Sequence, residues 1–295
     1  MTDTTASLQR TIGNANELQS VVRTMKALAA SSIGQYETSV RALADYDRTV
    51  ELGLGVCFRY SAPPAATLAA RPQAAAPSIG AVVFGSDQGL VGQFNSIVTD
   101  FAVKQLAALQ ALPRVWAVGE RVHARLADAG VAVVGRFAVP TSVQGITPLI
   151  GQILVDTDAR DGHETVDALY LFYNRPTTGE VYEPVSQRLL PLDDRWRRTV
   201  TALPWPTHIL PEMLGHGTAT LRALIREYVF VSLYRACAYS LASENASRLA
   251  AMQRADQNID ELLEHLNATF HRVRQSGIDE ELFDVVAGFE ASRSG

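Results

Sequence analysis

Proline is missing from roughly the first sixty and the last eighty residues of this 295-residue chain; all 13 prolines lie between Pro63 and Pro211. Ends free of that helix breaker can form long uninterrupted helices. Cysteine is scarce as well. Cys57 and Cys237 are the only two, too few for a disulfide framework or a cysteine-built zinc site, so free thiols in a reducing compartment are expected. No run of about 18 apolar residues occurs, and the opening MTDTTASLQR lacks the basic and apolar regions of a secretion signal. The expectation is a soluble, cytoplasmic protein. A basic excess is also lacking: 26 Lys and Arg stand against 31 Asp and Glu, a net charge of −5. That sign disfavours a phosphate-tracking surface, so nucleic acid is not an expected partner.

What the chain does have is apolar material, 47% hydrophobic against 19% charged residues, which must be buried within the chain or on a partner. Residues 218–276 contain neither Gly nor Pro and, as one helix, would span roughly 88 Å at 1.5 Å per residue. Along this stretch Asn245, Leu249, Met252, Asp256, Ile259, Leu263, Leu266, Phe270, Val273 and Gly277 alternate in steps of four and three. Such spacing keeps one seam facing a partner helix. Asn245, Asp256 and Gly277 read as imperfections in it. Near the N-terminus Val22, Met25, Ala29, Ile33, Tyr36, Val40, Leu43, Asp47, Val50, Leu54 and Cys57 step in the same way, with Asp47 the polar intruder. Two seams of similar length are most simply satisfied by each other, and a folded middle segment can return the chain near its start. An antiparallel coiled coil of the N- and C-terminal helices is therefore predicted.

Between the helices the period changes. Residues 61–78, SAPPAATLAARPQAAAPS, read as a linker. Beyond it IGAVVFG (79–85), RVWAVG (114–119), VAVVG (131–135) and VDALYLFYN (166–174) look like buried strands, with helical candidates at 96–112, 120–129 and 148–158. The alternation implies an α/β domain with a mostly parallel sheet. VYEPVSQRLLPL (181–192) adds an edge strand, because Pro184 excludes it from the sheet centre. The expected division is 1–60 as the N-terminal coiled-coil helix, 61–78 as linker, 79–206 as the α/β domain and 207–295 as the C-terminal coiled-coil helix.

Candidate chemistry is sparse. The loop GSDQGLVGQFN (85–95) sits between a predicted strand and a predicted helix, where α/β proteins bind phosphates, but its glycines fit neither dinucleotide nor P-loop spacing and it holds no lysine. A tight turn using Gly89 and Gly92 for backbone freedom accounts for it, with Asp87 capping that turn or the helix that follows. His265 and His271 are six residues apart on one helix and cannot readily share a metal. Ser86 has no histidine nearby and no nucleophile-elbow spacing. An apolar face continues past Gly277 through Ile278, Leu282, Val285, Val286 and Phe289; if the N-terminal helix stops short of it, it must be buried elsewhere or stay exposed.

Three segments, in order, carry a family resemblance. TMKALAAS (24–31) resembles A-M-x-M-V-A-A-S, and VVFGSDQGLVGQFN (82–95) is similar to V-V-x-[ST]-D-x-G-L-C-G-x-x-N. The stretch SENASRLAAMQRADQNIDELLEHLNATFHRVRQSGIDEELFDVVAG (243–288) resembles S-E-x-x-[AS]-R-M-x-A-M-x-x-A-[ST]-x-N followed by N-x-x-R-Q-x-x-I-T-x-E-[IL]-x-E-I-V-x-G-A. These are the motifs of the gamma subunit of rotary F-type ATP synthases. Departures are Lys26, where an acidic or small residue is common, Ser32 in place of Lys or Arg, Val91 in place of cysteine and Asp279 in place of threonine. WPTHILPEM (205–213) replaces an aromatic run ending in Glu-Pro. Such departures resemble a divergent second ATPase type that some bacteria carry beside the usual one.

The resemblance implies a central rotor shaft that couples ion-driven rotation of a membrane c-ring to conformational change in catalytic beta subunits. Its implied partners are the alpha, beta and epsilon subunits and the c-ring, at the cytoplasmic face of the bacterial inner membrane. It implies no catalytic residue and no cofactor in this chain. Arg23, Met25 and Lys26 on the first helix and Arg248, Arg274 and Gln275 on the second are the implied contacts with the beta and alpha subunits. Ile278, Leu282, Val285, Val286 and Phe289 would form an apolar tip bearing. Two other readings stay open on the residues alone: a nucleotide-binding α/β enzyme dimerised by its helices, and a coiled-coil scaffold unrelated to ATP.

Overall fold

The computed structural model describes residues 4–60, 78–109, 113–157, 166–178, 181–209, 211–212 and 217–293, with the side chains of 289–293 left out; the expected linker falls almost wholly outside these residues. Helix α1 spans Thr5–Tyr60 and helix α6 spans Gly217–Arg293. The chain divides into two compact units, one of Met1–Ala29 with Leu249–Gly295 and one of Ala30–Arg248. Both long helices contribute to both units.

The larger unit is built on a five-stranded sheet of β1 (Ile79–Phe84), β2 (Arg114–Val118), β3 (Val133–Phe137), β4 (Ala168–Arg175) and β5 (Glu183–Leu190). Its order is β3-β2-β1-β4-β5, parallel throughout except for the antiparallel pairing of β5 with β4. The edge strand carrying Pro184 is where the sequence predicts it. The third strand is not the buried run VAVVG: it starts two residues later and alternates between half-buried and exposed positions, because it forms the other edge of the sheet.

Period-two alternation sorts the central strands between two cores. Ala81 and Val83 face the layer of α2 (Phe94–Ala107) and α3 (Glu120–Asp128), packing with Val98, Ala102, Val122 and Leu126. Val82 and Phe84 point the other way, into a core shared by α4 (Ile146–Thr157) and by the parts of α1 and α6 in this unit, with Ile150, Leu54 and Leu233 fully buried. Each such aliphatic side chain stabilises the fold by about 1.5–3 kcal/mol relative to exposure. Here α1 and α6 run antiparallel: Arg235 reaches Asp47 at 2.6 Å, and six residues further along α1 a Cβ at Gly53 would lie 3.1 Å from the side chain of Leu224, eleven residues back on α6. A short helix absent from the sequence reading, α5 (Asp194–Thr201), starts where the Asp193 carboxylate accepts from the Arg195 N–H. It is held by Trp196 between the rings of Phe58 and Tyr228.

In the smaller unit α1 and α6 are also antiparallel. Gln19 donates to Asp260 and Arg23 to Asp256, so four residues forward on α1 match four back on α6. Of the seam expected from the step of three and four, Val22 and Ala29 are buried on α1 and Met252, Asp256 and Ile259 on α6. Leu8, Ala15 and Gln19, outside that expectation, continue the buried line of α1 toward its N-terminus. Among the described residues no helix is long and apolar enough to cross a membrane.

Candidate functional site

The glycine loop is occupied by its own chain. The Ser86 N–H donates to Asn95 Oδ1 at 3.0 Å, Asn95 Nδ2 donates to Ser86 Oγ at 2.8 Å, and that hydroxyl donates to the Gln88 carbonyl. Asp87 does not cap the helix that follows. Its two carboxylate oxygens accept from the N–H of Glu120, at the start of α3, and of Val139, at 2.9 and 2.8 Å. A side chain at position 119 could not supply that cap, because Gly119 has φ +115° and an added Cβ would lie 2.8 Å from the Ser86 backbone. Backbone freedom in the loop falls on Leu90 (φ 62°) and Gly92 (φ 55°) rather than on Gly89.

A doubly wound sheet binds ligands where its strand order reverses, here beyond the carboxyl ends of β1 and β4. That crevice is filled by α6. Ser243 Oγ donates to the Asn174 carbonyl at 3.1 Å and Ser247 Oγ to the Val91 carbonyl at 2.6 Å, while Asn174 Nδ2 donates to the Phe94 carbonyl. The polar groups that would cradle a phosphate hold a helix instead.

The six implied contact residues fall into different settings. In the smaller unit Arg23 and Lys26 converge on Asp256 at 3.1 and 2.6 Å, and Arg23 also lies 3.6 Å from Asp260. Asp256 is 9% exposed, whereas the Arg23 side chain is 57% exposed. The Lys26 ammonium, with Arg23 beside it, holds the Asp256 carboxyl below the usual carboxylate range. Met25 packs partly buried beside Val22, Met252 and Ile259. Arg274 and Gln275 are exposed on α6.

Arg248 lies in the larger unit and is almost withdrawn from solvent. It donates to Glu244 at 2.6 Å and to Asn245 Oδ1 at 3.1 Å, lining a pocket of roughly 200 Å³ with Tyr36 and Asp87. Burial pushes the Glu244 carboxyl up despite that arginine, and Glu244 Oε2 and Arg248 Nε have no protein partner. Asp47, the polar seam residue of α1, has its carboxylate on Arg235. Both cysteines lie outside any disulfide and are buried, and burial pushes the Cys237 thiol up, away from reactivity.

At the far end of α6, Ile278, Leu282, Val285 and Val286 are 48–70% exposed, joined by Phe283 at 71%; the Phe289 side chain lies outside the described residues. The α1/α6 register explains the exposure. Buried Leu8 stands level with about position 271 by the observed step, so no described residue of α1 comes alongside this face.

A family model described as ATP synthase matches residues 4–291, and the ATP synthase gamma chain of Ralstonia nicotianae is 31% identical over 219 residues, 72% of this chain and 74% of that one. The chain belongs to the ATP synthase gamma chain family. Another gamma chain, from Dechloromonas aromatica, is 26% identical over 292 residues, 96% of this chain and 98% of its own length. In fold, the chain is similar to one in the rotor of Euglena gracilis mitochondrial ATP synthase. The TM-score is 0.56 at 15% identity, with 93% of this chain and 98% of that chain covered. Motif reading found the family but missed the Glu244–Arg248 pair and the ion cluster on Asp256. A signal for the second was present: Lys26 departs from the family's first motif, and Asp256 stands at the Ser or Thr position of its third.

Proposed function

We propose that this chain is the central rotor shaft of an F-type ATP synthase, a non-catalytic subunit that couples rotation of a membrane c-ring to conformational change in catalytic beta subunits. The observation that carries the reading, beside family membership, is the antiparallel helix pair of the smaller unit, from which α6 continues with an exposed apolar face. That face, Ile278 to Val286 with Phe289 beyond, is a bearing surface in a surrounding ring of alpha and beta subunits. Dispersion contacts have little directional preference, so such a surface holds the shaft without fixing its angle.

Coupling requires differential contact, because a bound partner shifts a conformational equilibrium only by the difference in its affinity for the two states. A shaft that presents different side chains in different directions gives each beta subunit a different contact, and rotation exchanges them. Arg274 and Gln275, exposed on α6, and the exposed guanidinium of Arg23 are the residues placed to make such contacts directly. Met25, Lys26 and Arg248 act from within the chain, by shaping the helices that carry them. The epsilon subunit and the c-ring are the partners of the larger unit, at the cytoplasmic face of the bacterial inner membrane.

Co-expression with the alpha and beta subunits tests this. The chain is expected to co-purify with them and to change their ATP hydrolysis, and truncation after Gly277 is expected to weaken the complex. Failure to co-purify, or hydrolysis indifferent to the chain, would overturn the reading. A scaffold unrelated to ATP predicts that truncation leaves the partner complex fully active.

A further inference from the structure

The pocket beside Arg248 lies wholly within the larger unit. Its wall includes Tyr36 of α1, Asp87 after β1, Thr141 after β3, and Glu244, Asn245 and Arg248 of α6. At roughly 200 Å³ it has the liquid-volume share of about six waters, each about 30 Å³, so it admits a group larger than one water.

The wall is short of positive charge. Glu244 is 6% exposed; its Oε1 accepts from Arg248 Nη2, while Oε2 has no protein partner. That guanidinium is shared, because its Nη1 donates to Asn245 Oδ1. Asp87 has one backbone N–H on each oxygen, and each oxygen keeps a further lone pair. With both acids ionised, two carboxylates face the pocket with one guanidinium to balance them. Withdrawing Glu244 from water costs more than Arg248 returns, so burial pushes its carboxyl up, and Asp87 adds to the push.

These groups select among ligands by charge and by hydrogen-bonding type. An anion would meet two carboxylates. A hard divalent cation needs about six or more oxygens, and among the described residues no three acids, histidines or cysteines gather to hold one. A cation that carries its own N–H donors suits the unpartnered Oε2 and the spare lone pairs of Asp87. A guanidinium gives up water more readily than an ammonium and presents its donors in a rigid fork. We propose that this pocket binds a guanidinium group, with Glu244 Oε2 as its principal acceptor, Asp87 as the second acid, and Arg248 holding Glu244 Oε1. A free guanidinium solute and an arginine side chain of a partner subunit bring the same group.

Isothermal titration of the full chain with methylguanidinium tests the site without any partner. Saturable binding of one equivalent is expected, several-fold tighter than that of methylammonium. Glu244→Gln removes the charge and is expected to weaken binding about tenfold or more. Thr141→Trp, at an exposed position on the rim, is expected to block the pocket, and it carries the test should Glu244→Gln not fold. Asp279→Asn, an exposed acid outside the pocket, is expected to leave binding unchanged. Cation and proton compete for Glu244, so binding is expected to weaken as pH falls through the raised pKa of that carboxyl. Asp87 and Arg248 face Glu244 as charges, and Tyr36 and Cys237, both pushed up, face it as neutral groups. No saturable binding, the result if the pocket takes water only, overturns the proposal. So does binding undiminished in Glu244→Gln, or in Thr141→Trp if it alone folds. Repeating the titration on the complex with alpha and beta subunits separates the two sources. A partner's arginine in the pocket abolishes uptake of the probe and makes association sensitive to Glu244→Gln; a free solute leaves uptake as in the isolated chain. Only that arm rests on the rotor reading, so the titration of the isolated chain can fail while the rotor reading stands.

Discussion

The two units solve opposite problems with the same pair of helices. In the larger one α1 and α6 lie against one face of a sheet whose other face carries a second core, with Phe84, Leu54, Phe172 and Leu233 all but sealed from water. In the smaller one they have mainly each other: the buried apolar cluster is Val22, Met252 and Ile259 with four partly buried neighbours. Where packing is thick, shape alone selects the arrangement and ion pairs are incidental. Where it is thin, charge adds to it: Asp256 holds Arg23 and Lys26 across the seam.

The largest effect that would sharpen this contrast is a cavity in the larger unit. Phe172→Ala, at a fully buried position, is expected to cost about 3–5 kcal/mol. Ile259→Ala removes less material from a seam whose neighbours can close over it and should lie at or below the lower end of about 2–5 kcal/mol. Denaturant unfolding followed by probes in each unit measures both; equal costs would break the comparison. Next in size is Asp87→Ala, which orphans the N–H groups of Glu120 and Val139 together and is expected to cost about 1–3 kcal/mol, with faster amide exchange at the start of α3.

A finer test uses two carboxylates on the same helix whose environments push in opposite directions. Glu244 is raised by burial, so the folded chain binds its proton more tightly than the unfolded chain does. Its stabilising contribution is present below the unfolded pKa of about 4.3 and is lost as pH rises through the higher folded value. Asp256 is lowered by Lys26, so its contribution is present above about 3.9 and is lost as pH falls through the lower folded value. Stability relative to Glu244→Gln should therefore decline from acid toward neutral pH. Relative to Asp256→Asn it should rise from strong acid and then level off. Parallel slopes in chemical denaturation across that range would refute the assignment of causes.

The sequence made the long helices and the strands legible because both rest on apolar pattern. Leu54 and Cys57 announce their face by spacing, and IGAVVFG its burial by an unbroken apolar run, whereas the order β3-β2-β1-β4-β5 is seen only in the structure. The family was legible from three motifs. What stayed hidden depends on contacts between distant residues. Asp256 reads as a flaw in a heptad until Lys26 is seen across from it, and Arg248 reads as a surface hook until Glu244 withdraws it into a pocket. Asp87 likewise has its partners 33 and 52 residues away, beyond any local capping rule. Helix α5 escaped because eight residues with three arginines show little apolar period, and its apolar anchors are just Trp196 and the buried Val200, with Arg197 laid over the Phe58 ring.

The smallest effect on folding is expected at Arg274, and it decides whether exposure in the smaller unit is used. An exposed helix position away from caps and ion pairs tolerates substitution within about 0.5 kcal/mol, so Arg274→Ala should leave unfolding of the isolated chain nearly unchanged. If the side chain pairs with an acidic group of a partner, the same variant should weaken co-purification with alpha and beta subunits. The loss would grow as salt is lowered, because screening already suppresses part of that contact at higher ionic strength. Stability and association would then move independently at this position. At Phe172 they cannot, since whatever unfolds the sheet also removes the subunit from the complex.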